Sequence, residues 1–234
     1  MTLSLAAIPL SGLSVAEIWA TASLIVKSIV VLMLLMGLAA IYVAIERWVS
    51  FFKAQKESRE LGARLSELFE KNDLKGAIAA CEETQYKRAY LGHVLVPALK
   101  ELEIRDDRPG VEAATRALES AAMIEAADLK RGMPILATVG STSPFVGLVG
   151  TIFGIIHTFQ SFEGGGGELL AIIGEIGEAL YATAVGIAVA IVGVWLYNYF
   201  NGRIEKITQE ITIFAQEFLG WCEKELLKKN ETNA

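Results

Sequence analysis

The stretch LLAIIGEIGEALYATAVGIAVAIVGVWLYNYF, residues 169–200, decides the fold class of this chain. It exceeds the roughly 20 apolar residues that a helix needs to cross a bilayer. It nevertheless carries a carboxylate well inside it, Glu178. An ionised acid in hydrocarbon is costly, so one that is present usually faces a protein interior or a water-filled route. The stretch therefore predicts a membrane-spanning helix whose Glu178 exchanges a proton or a cation.

Two further apolar stretches predict two more spans. One covers residues 24–45, where the interruptions are Lys27, Ser28 and Tyr42, and the other covers residues 133–162. The chain is 53% hydrophobic and its mean hydropathy is +0.44, which is high for a soluble domain. We predict an all-α integral membrane protein with three transmembrane helices, at residues 19–45, 133–162 and 169–200.

The remaining sequence is assigned by its charge and helical pattern. Residues 46–132 are predicted as a cytoplasmic helical region, and residues 201–234 as a cytoplasmic helix that continues the third span. Residues 163–168, EGGGGE, are predicted as a short outer loop. The capping-box motif SVAE predicts an interfacial helix within an outer N-terminal segment, residues 1–18.

Within residues 46–132, turn signals divide the predicted helices. The dipeptide at 72–73 can cap a new helix, and Pro and Gly predict a turn at 106–110. From Val111 the sequence is rich in Ala, Glu and Leu and has no strong stop. We therefore expect one helix of about fifty residues that runs through the second span, with kinks at Pro134 and Pro144.

The basic residues predict the orientation in the membrane. Every Lys and Arg except Lys27 lies within residues 47–131 or 203–229. The positive-inside rule then places these segments in the cytoplasm and the N-terminus outside, whatever the net charge of −6. Extended cationic patches are missing from the sequence, so we expect no binding to nucleic acid.

The sequence gives little support to an enzyme or a metalloprotein. It has no nucleotide-binding motif, no metal-ligand spacing and no recognisable pair of nucleophile and base. His93 and His157 fall in different predicted compartments, so a structural role is favoured for each. Cys81 and Cys222 are predicted to be reduced cytoplasmic thiols, and an apolar helical pattern predicts burial of Cys81. We expect no cofactor and no metal.

Small residues form a stripe on each of the last two spans. Spacings of three and four put them on one face of each helix, which predicts tight helix packing within a bundle or between subunits. The stripe of span two comprises Gly140, Ser143, Gly147, Gly150 and Gly154, and that of span three comprises Ala179, Ala182, Gly186, Ala190 and Gly193.

Polar residues inside the spans are sparser. Thr151, Thr158 and Thr183 could each bond a carbonyl of their own helix, which is the ordinary role of a membrane threonine. With a glutamate in the neighbouring span, we instead hypothesise that Glu178, Thr183 and Thr151 line one polar pathway, with Thr158 as a secondary candidate. Glu175 would be an interfacial acid or a collector of cations at an outer mouth. Lys27 would snorkel outward, or pair with an acid or a lipid phosphate.

These residues lie in motifs that resemble the TolQ/ExbB/MotA proton-channel family. The strongest are LATVGSTSPFVGLVGTIFGIIHTF, residues 136–159, and IGEALYATAVGIAVAIVGVWLYNYF, residues 176–200. ASLIVK, residues 22–27, resembles the family's first span, including its lysine. Three spans, an outer N-terminus and a short tail are more similar to the TolQ/ExbB branch than to the four-span MotA branch.

The resemblance implies a homo-oligomeric ring, taken to be a pentamer, in the bacterial inner membrane. The ring would surround the single-span helices of a TolR/ExbD-type partner and would convert proton motive force into work on the cell envelope, through a TonB/TolA-type load. Glu178 falls on the family's span-three glutamate, and Thr151 and Thr183 fall on its two pore threonines. Where the family often has Pro-Gly, this chain has Gly174 and Glu175, a departure that affects the local bend.

Three alternatives stay open at the level of the sequence. The same module could be the stator of a gliding-motility motor. Hydroxyl groups and a carboxylate also suit Na⁺, so a sodium-driven variant is possible. A membrane scaffold that conducts no ions, in which Glu178 merely bonds to a neighbour, belongs to a different functional class.

Overall fold

The structure is a computed structural model, and it describes residue 19 and residues 22–105, 107–163 and 169–232. These residues contain helices and no strand, which confirms the predicted all-α class. We number the helices α1 (Leu24–Glu70), α2 (Leu74–Glu82), α3 (Tyr90–Ile104), α4 (Arg108–Leu129), α5 (Met133–Glu163) and α6 (Leu169–Thr232), with a short 3₁₀ helix at Thr84–Tyr86. Three of them, α1, α5 and α6, are long and apolar enough to cross a membrane, as predicted.

The chain forms two compact units, and α1 and α6 contribute to both. The unit that we call the apolar unit comprises Met1–Tyr42 and Ile135–Tyr197. The charged unit comprises Val43–Pro134 and Asn198–Ala234. The predicted interfacial helix in residues 1–18 lies outside the described residues, and so does the predicted loop at 163–168 apart from Glu163, the last residue of α5.

In the apolar unit, α5 and α6 lie against each other backbone to backbone. A methyl group added to Gly193 would lie 2.9 Å from the backbone nitrogen of Gly140, and one added to Gly154 would lie 2.5 Å from Cβ of Ala179. Residue numbers rise along α5 as they fall along α6, so the two helices are antiparallel. Small side chains permit this close approach, which is the usual means of helix association in lipid.

Helix α1 packs on both of these helices. Its Met33 lies within a buried cluster that also contains Val26, Val30 and Ala182. A methyl group added to Gly37 would contact Val189 of α6 at 3.5 Å, and one added to Gly150 of α5 would contact Ile29 at 3.3 Å. Numbers rise together along α1 and α6, so these two helices are parallel.

The charged unit has a core of large side chains. Phe69 and Phe218 pack with ring centroids 5.5 Å apart, and Trp221 lies 5.1 Å from Phe69. Helix α3 packs against α4. Other fully buried leucines of this unit are Leu61, Leu65, Leu95, Leu99 and Leu118. Since this unit is rich in charge outside its core, the pattern is that of a soluble helical domain.

Two aspartates begin helices in the charged unit. Asp73 accepts a hydrogen bond from the amide of Gly76 at 2.8 Å, and Asp107 accepts one from the amide of Gly110 at 3.0 Å. Each carboxylate satisfies an amide that has no partner within the first turn of its helix. Residues 72–73 thus cap α2 as predicted, whereas α4 begins at Arg108, inside the segment predicted as a turn.

The expectation of one fifty-residue helix is wrong. Helix α4 ends at Leu129 and α5 begins at Met133. Gly132, between them, has φ of +81°, a left-handed conformation that favours glycine. Pro134 therefore lies in the first turn of a new helix, where its missing N–H costs no hydrogen bond, and Pro144 is accommodated within continuous α5.

Candidate functional site

Glu178 lies on the side of α6 that faces α1. The residues Glu178, Ala182, Val185 and Val189 are spaced by four, three and four positions, so they share one stripe of the helix. Val185 packs on the buried cluster formed with α1, and Val189 contacts Gly37 of α1. Glu178 is itself partly buried. The carboxylate is therefore set at the edge of the contact between α1 and α6.

Thr183 lies on a different side of α6. Its hydroxyl donates a hydrogen bond to the backbone carbonyl of Gly147 on α5, with an oxygen–oxygen distance of 2.9 Å. Five residues separate Glu178 from Thr183, and at 3.6 residues per turn this spacing rotates them about 140° apart. Thr183 therefore belongs to the seam between α5 and α6. There its hydroxyl finds a hydrogen-bond acceptor that lipid cannot supply.

Thr151 and Thr158 bond carbonyls of their own helix. Thr151 donates to Leu148 at 2.7 Å and Thr158 donates to Gly154 at 3.0 Å. Both side chains are buried, at 8% and 4% exposure. Thr151 follows Gly147 by one turn of α5, so it lies beside Thr183 along the same seam.

Within one chain, the three residues hypothesised to share a pathway do not lie on the same side of α6. The structure brings Thr151 and Thr183 together at the seam between α5 and α6 and puts Glu178 toward α1. The two threonine hydroxyls are occupied by backbone carbonyls. A route that uses all three residues consequently has to pass around α6 or between copies of the chain.

Glu175 lies one turn before Glu178 on α6. One of its carboxylate oxygens, Oε2, is buried and has no hydrogen-bond partner among the described residues. Gly154 of α5 faces Ala179 of α6. Because the two helices are antiparallel, Thr158, four residues after Gly154, lies opposite Glu175, four residues before Ala179. Thr158 cannot donate to this carboxylate while its proton is bonded to Gly154.

The two histidines differ in their surroundings. His157 is exposed on α5, and it has an interaction partner. His93 contacts the carboxylate of Glu125 at 3.0 Å and the carbonyl of Lys87 at 3.0 Å. Its hydrogen bond with Glu125 raises the pKa of His93. No group of His, Cys, Asp and Glu side chains suited to a metal occurs among the described residues.

Both cysteines are buried free thiols, and the burial of Cys81 agrees with the helical pattern. Desolvation raises the pKa of Cys81 to about 12, so this thiol stays protonated at neutral pH. A nucleophilic role for Cys81 has no physical support.

Sequence reasoning missed a polar contact in the charged unit. Tyr90 of α3 donates its hydroxyl proton to Glu210 of α6, beside the fully buried Ser58 of α1. These residues line a groove of about 310 Å³. Burial raises the pKa of Tyr90, with Glu210 as a second cause. Tyr90 and Glu210 lie 120 residues apart, and no local pattern links them.

Comparison with known proteins gives consistent matches. The sequence profile of the MotA/TolQ/ExbB proton channel family matches residues 86–213. Tol-Pal system protein TolQ of Pseudomonas aeruginosa is 40% identical over 126 residues, 51% of this chain and 54% of that protein, so the match spans about half of its length. TolQ of Haemophilus influenzae is 29% identical over 210 residues, 86% of this chain and 90% of that protein. Biopolymer transport protein ExbB of Neisseria meningitidis is 30% identical over 197 residues, 80% of this chain and 87% of that protein.

Proposed function

Because this chain belongs to the MotA/TolQ/ExbB proton channel family, we propose that it is the proton-conducting stator subunit of a motor that does mechanical work on the cell envelope. The observation that carries the proposal is the carboxylate of Glu178, partly buried within an apolar helix. A proton crossing 100 mV releases about 2.3 kcal/mol, which makes a protonatable membrane residue a suitable coupling point.

The proposed location is the bacterial inner membrane, with a periplasmic N-terminus and a cytoplasmic C-terminus. The distribution of Lys and Arg supports this orientation, since the charged unit carries nearly all of them. Energisation of the outer membrane is the favoured load, because the relatives named above are Tol-Pal and biopolymer transport proteins.

The proposed assembly is a homo-oligomeric ring, a pentamer, around a single-span TolR/ExbD-type partner. Its support is the surface around the two threonines. One turn on either side of Thr151 lie Leu148 and Ile155, and around Thr183 lie Leu180 and Ile187. All four apolar side chains are at least 40% exposed. An apolar face with two central hydroxyls suits a membrane helix that carries one polar group.

In this assembly Glu178 and the threonine seam have separate tasks. The seam contacts the partner helix, and Glu178, on the other side of α6, passes protons along the boundary of the subunit. The Thr183 hydroxyl keeps its bond to Gly147 and so holds α5 and α6 in register. The pathway is complete only when several copies surround the partner.

The test is proton flux into liposomes that contain this chain and a TolR/ExbD-type partner subunit. Glu178→Gln keeps the size of the side chain and removes the exchangeable charge, so we expect flux to fall at least tenfold, to the level of empty liposomes. Thr212→Val, which changes an exposed hydroxyl of the charged unit, is the control and should conduct like the parent.

Three results would contradict the proposal. If Glu178→Gln conducts protons like the parent, Glu178 is not the residue that carries the proton, and if the parent itself conducts no more than empty liposomes, the chain is a scaffold. If flux follows a sodium gradient at a fixed proton gradient, the transported ion is Na⁺. The hydroxyl and carboxylate oxygens at Thr183 and Glu178 are the feature that favours this second candidate.

A further inference from the structure

We propose that a cavity in the charged unit binds an arginine side chain from a basic peptide segment of another protein. The aromatic cavity, as we call it, lies between the end of α1 and the second half of α6 and has a volume of about 310 Å³. Its lining includes the aromatic rings of Phe69 and Trp221 and the carboxylates of Glu70 and Glu217. The site is separate from the ion pathway proposed above.

Packed aromatic rings form one wall of the cavity. Trp221 lies 5.1 Å from Phe69 and 6.1 Å from Phe218 between ring centroids, and its ring is inclined by 24° to that of Phe218. The indole nitrogen of Trp221 donates a hydrogen bond to the backbone carbonyl of Phe69 at 3.0 Å. These contacts fix the indole, so a ligand meets a preformed aromatic surface.

The polar groups around these rings mostly accept hydrogen bonds, because their donors are engaged within the chain. The hydroxyl of Ser66 donates to the carbonyl of Gly62 at 3.1 Å, and the amide nitrogen of Asn72 donates to Glu225 at 2.8 Å. The indole N–H is engaged as well. An anion would find little to bind it here, whereas a ligand rich in N–H groups suits this lining.

Two carboxylates give the cavity a negative charge. Glu70 and Glu217 are both exposed, and neither forms an ion pair with another described residue. By contrast, Glu83 of the same unit pairs with Arg64 at 2.8 Å. The described residues that line the cavity include no Lys and no Arg. The two carboxylates are thus available to a cation that a ligand supplies.

A guanidinium group matches the rings and the carboxylates at once. It is planar, it stacks on aromatic faces, and its N–H donors form a rigid fork that fits a carboxylate. The ammonium group of lysine is a compact and strongly hydrated charge, so it gains less from an aromatic wall. We therefore assign the cavity to arginine rather than to lysine.

The surroundings of the cavity favour a peptide over a small cation. Ser66, Phe214 and Glu217 line both the cavity and the groove described above, so the two depressions adjoin. Together they follow α1 from residue 58 to residue 70, which is about 18 Å at 1.5 Å per residue. Ile213 in the groove is 57% exposed. An acidic cavity beside an exposed apolar surface suits a chain that carries both basic and apolar side chains.

The test measures binding of a fluorescein-labelled peptide of arginine, leucine and alanine to the full-length chain in an uncharged detergent, by fluorescence anisotropy. We expect saturable binding by the parent. Glu70→Gln and Glu217→Gln each remove a charge and keep the size of the side chain. Each should weaken binding about three- to fivefold, and the double variant about tenfold or more. The same peptide with lysine in place of arginine should bind the parent less tightly.

The matched control combines Glu103→Gln with Glu119→Gln. It removes the same charge from exposed positions of α3 and α4, so it should bind the peptide like the parent. If it weakened binding as much as the double variant of the cavity, net charge alone would hold the peptide and the site would be refuted. No saturable binding by the parent, or equal binding of the arginine and lysine peptides, would also overturn the assignment.

Two other occupants would be revealed by the same proteins. If arginine amide displaced the labelled peptide as effectively as the unlabelled peptide does, the ligand would be a small cation and the peptide assignment would fail. If the double variant of Glu70 and Glu217 changed the oligomeric state measured by light scattering, the cavity would be a contact between copies of this chain. Binding is measured without a proton gradient and without altering Glu178, so its failure would leave the proposed function untouched.

Discussion

The apolar unit and the charged unit are stabilised by opposite means. In the apolar unit, backbones touch where side chains are small: the Cβ of an alanine at Gly186 would lie 2.7 Å from the carbonyl oxygen of Ser143. In the charged unit, large rings fill the space between helices, as with Phe69, Phe218 and Trp221. Where α5 and α6 touch, the first unit has no room for an added methyl group, whereas the core of the second unit loses packing when a ring is removed.

The difference follows from the surroundings that each unit is built for. In lipid, burying a larger side chain brings no hydrophobic gain over leaving it in the membrane, so close packing and backbone contact dominate. In water, each buried methylene contributes about 0.8 kcal/mol, so large side chains dominate. Substitutions that remove or add atoms should consequently have different effects in the two units.

The largest expected effect is in the charged unit. Phe218 is 2% exposed and packs 5.5 Å from Phe69 between ring centroids. Phe218→Ala removes the ring and leaves a cavity, so we expect the free energy of unfolding to fall by about 3–5 kcal/mol. Denaturant titration of the full chain in detergent, followed by tryptophan fluorescence, measures this loss.

Ile213→Ala on the same helix is the matched control. Ile213 is 57% exposed, so its truncation should cost less than about 1 kcal/mol. Equal losses for the two variants would mean that the ring of Phe218 does not form the core of the charged unit.

The next effect is in the apolar unit, where adding one carbon should destabilise. Gly186→Ala would bring Cβ against the Ser143 carbonyl and within 3.2 Å of Cα of Gly147. Since the backbone atoms can yield only by separating the helices, we expect a loss of about 1–3 kcal/mol in the same titration. Gly202→Ala, whose Cβ would meet nothing within 4 Å, should instead stabilise its helix by about 0.5–1 kcal/mol. If both variants raised, or both lowered, the free energy of unfolding, the contrast between the units would be contradicted.

Much of the fold was open to prediction because it follows from local pattern. The three apolar runs, the resemblance to the channel family and the burial of Cys81 all depend on composition and periodicity along the chain. The sequence prediction missed the end of helix α4, although a stop signal was present. Gly132 followed by Pro134 is a usual helix stop. The long run of helix-forming residues before it concealed that signal.

The candidate site was harder to predict, since it depends on angles between helices. The spacing of five between Glu178 and Thr183 already rotates them about 140° apart on any regular helix. Which neighbour each residue faces, however, is set by the register of α1, α5 and α6. The spacing of residues along the sequence does not indicate that Thr183 bonds the carbonyl of Gly147 rather than a carbonyl of its own helix.

The smallest expected effect is electrostatic and belongs to the charged unit. His93, about half exposed, pairs with Glu125 at 3.0 Å, and that hydrogen bond raises its pKa, with Asp128 as a minor cause and burial opposing. A histidine whose pKa is raised by folding stabilises the folded state fully at pH values below its unfolded pKa, near 6.5. This stabilisation is lost as the pH rises through the pKa of the folded state. His93→Gln, which cannot gain a charge, should therefore lower the unfolding midpoint at pH 5.5 more than at pH 8.5. The exposure of the pair limits the difference to less than about 1 kcal/mol. Glu125→Gln should show the same pH dependence. If the loss of stability in His93→Gln instead grew toward alkaline pH, Glu125 would not be the group that holds the proton on this imidazole.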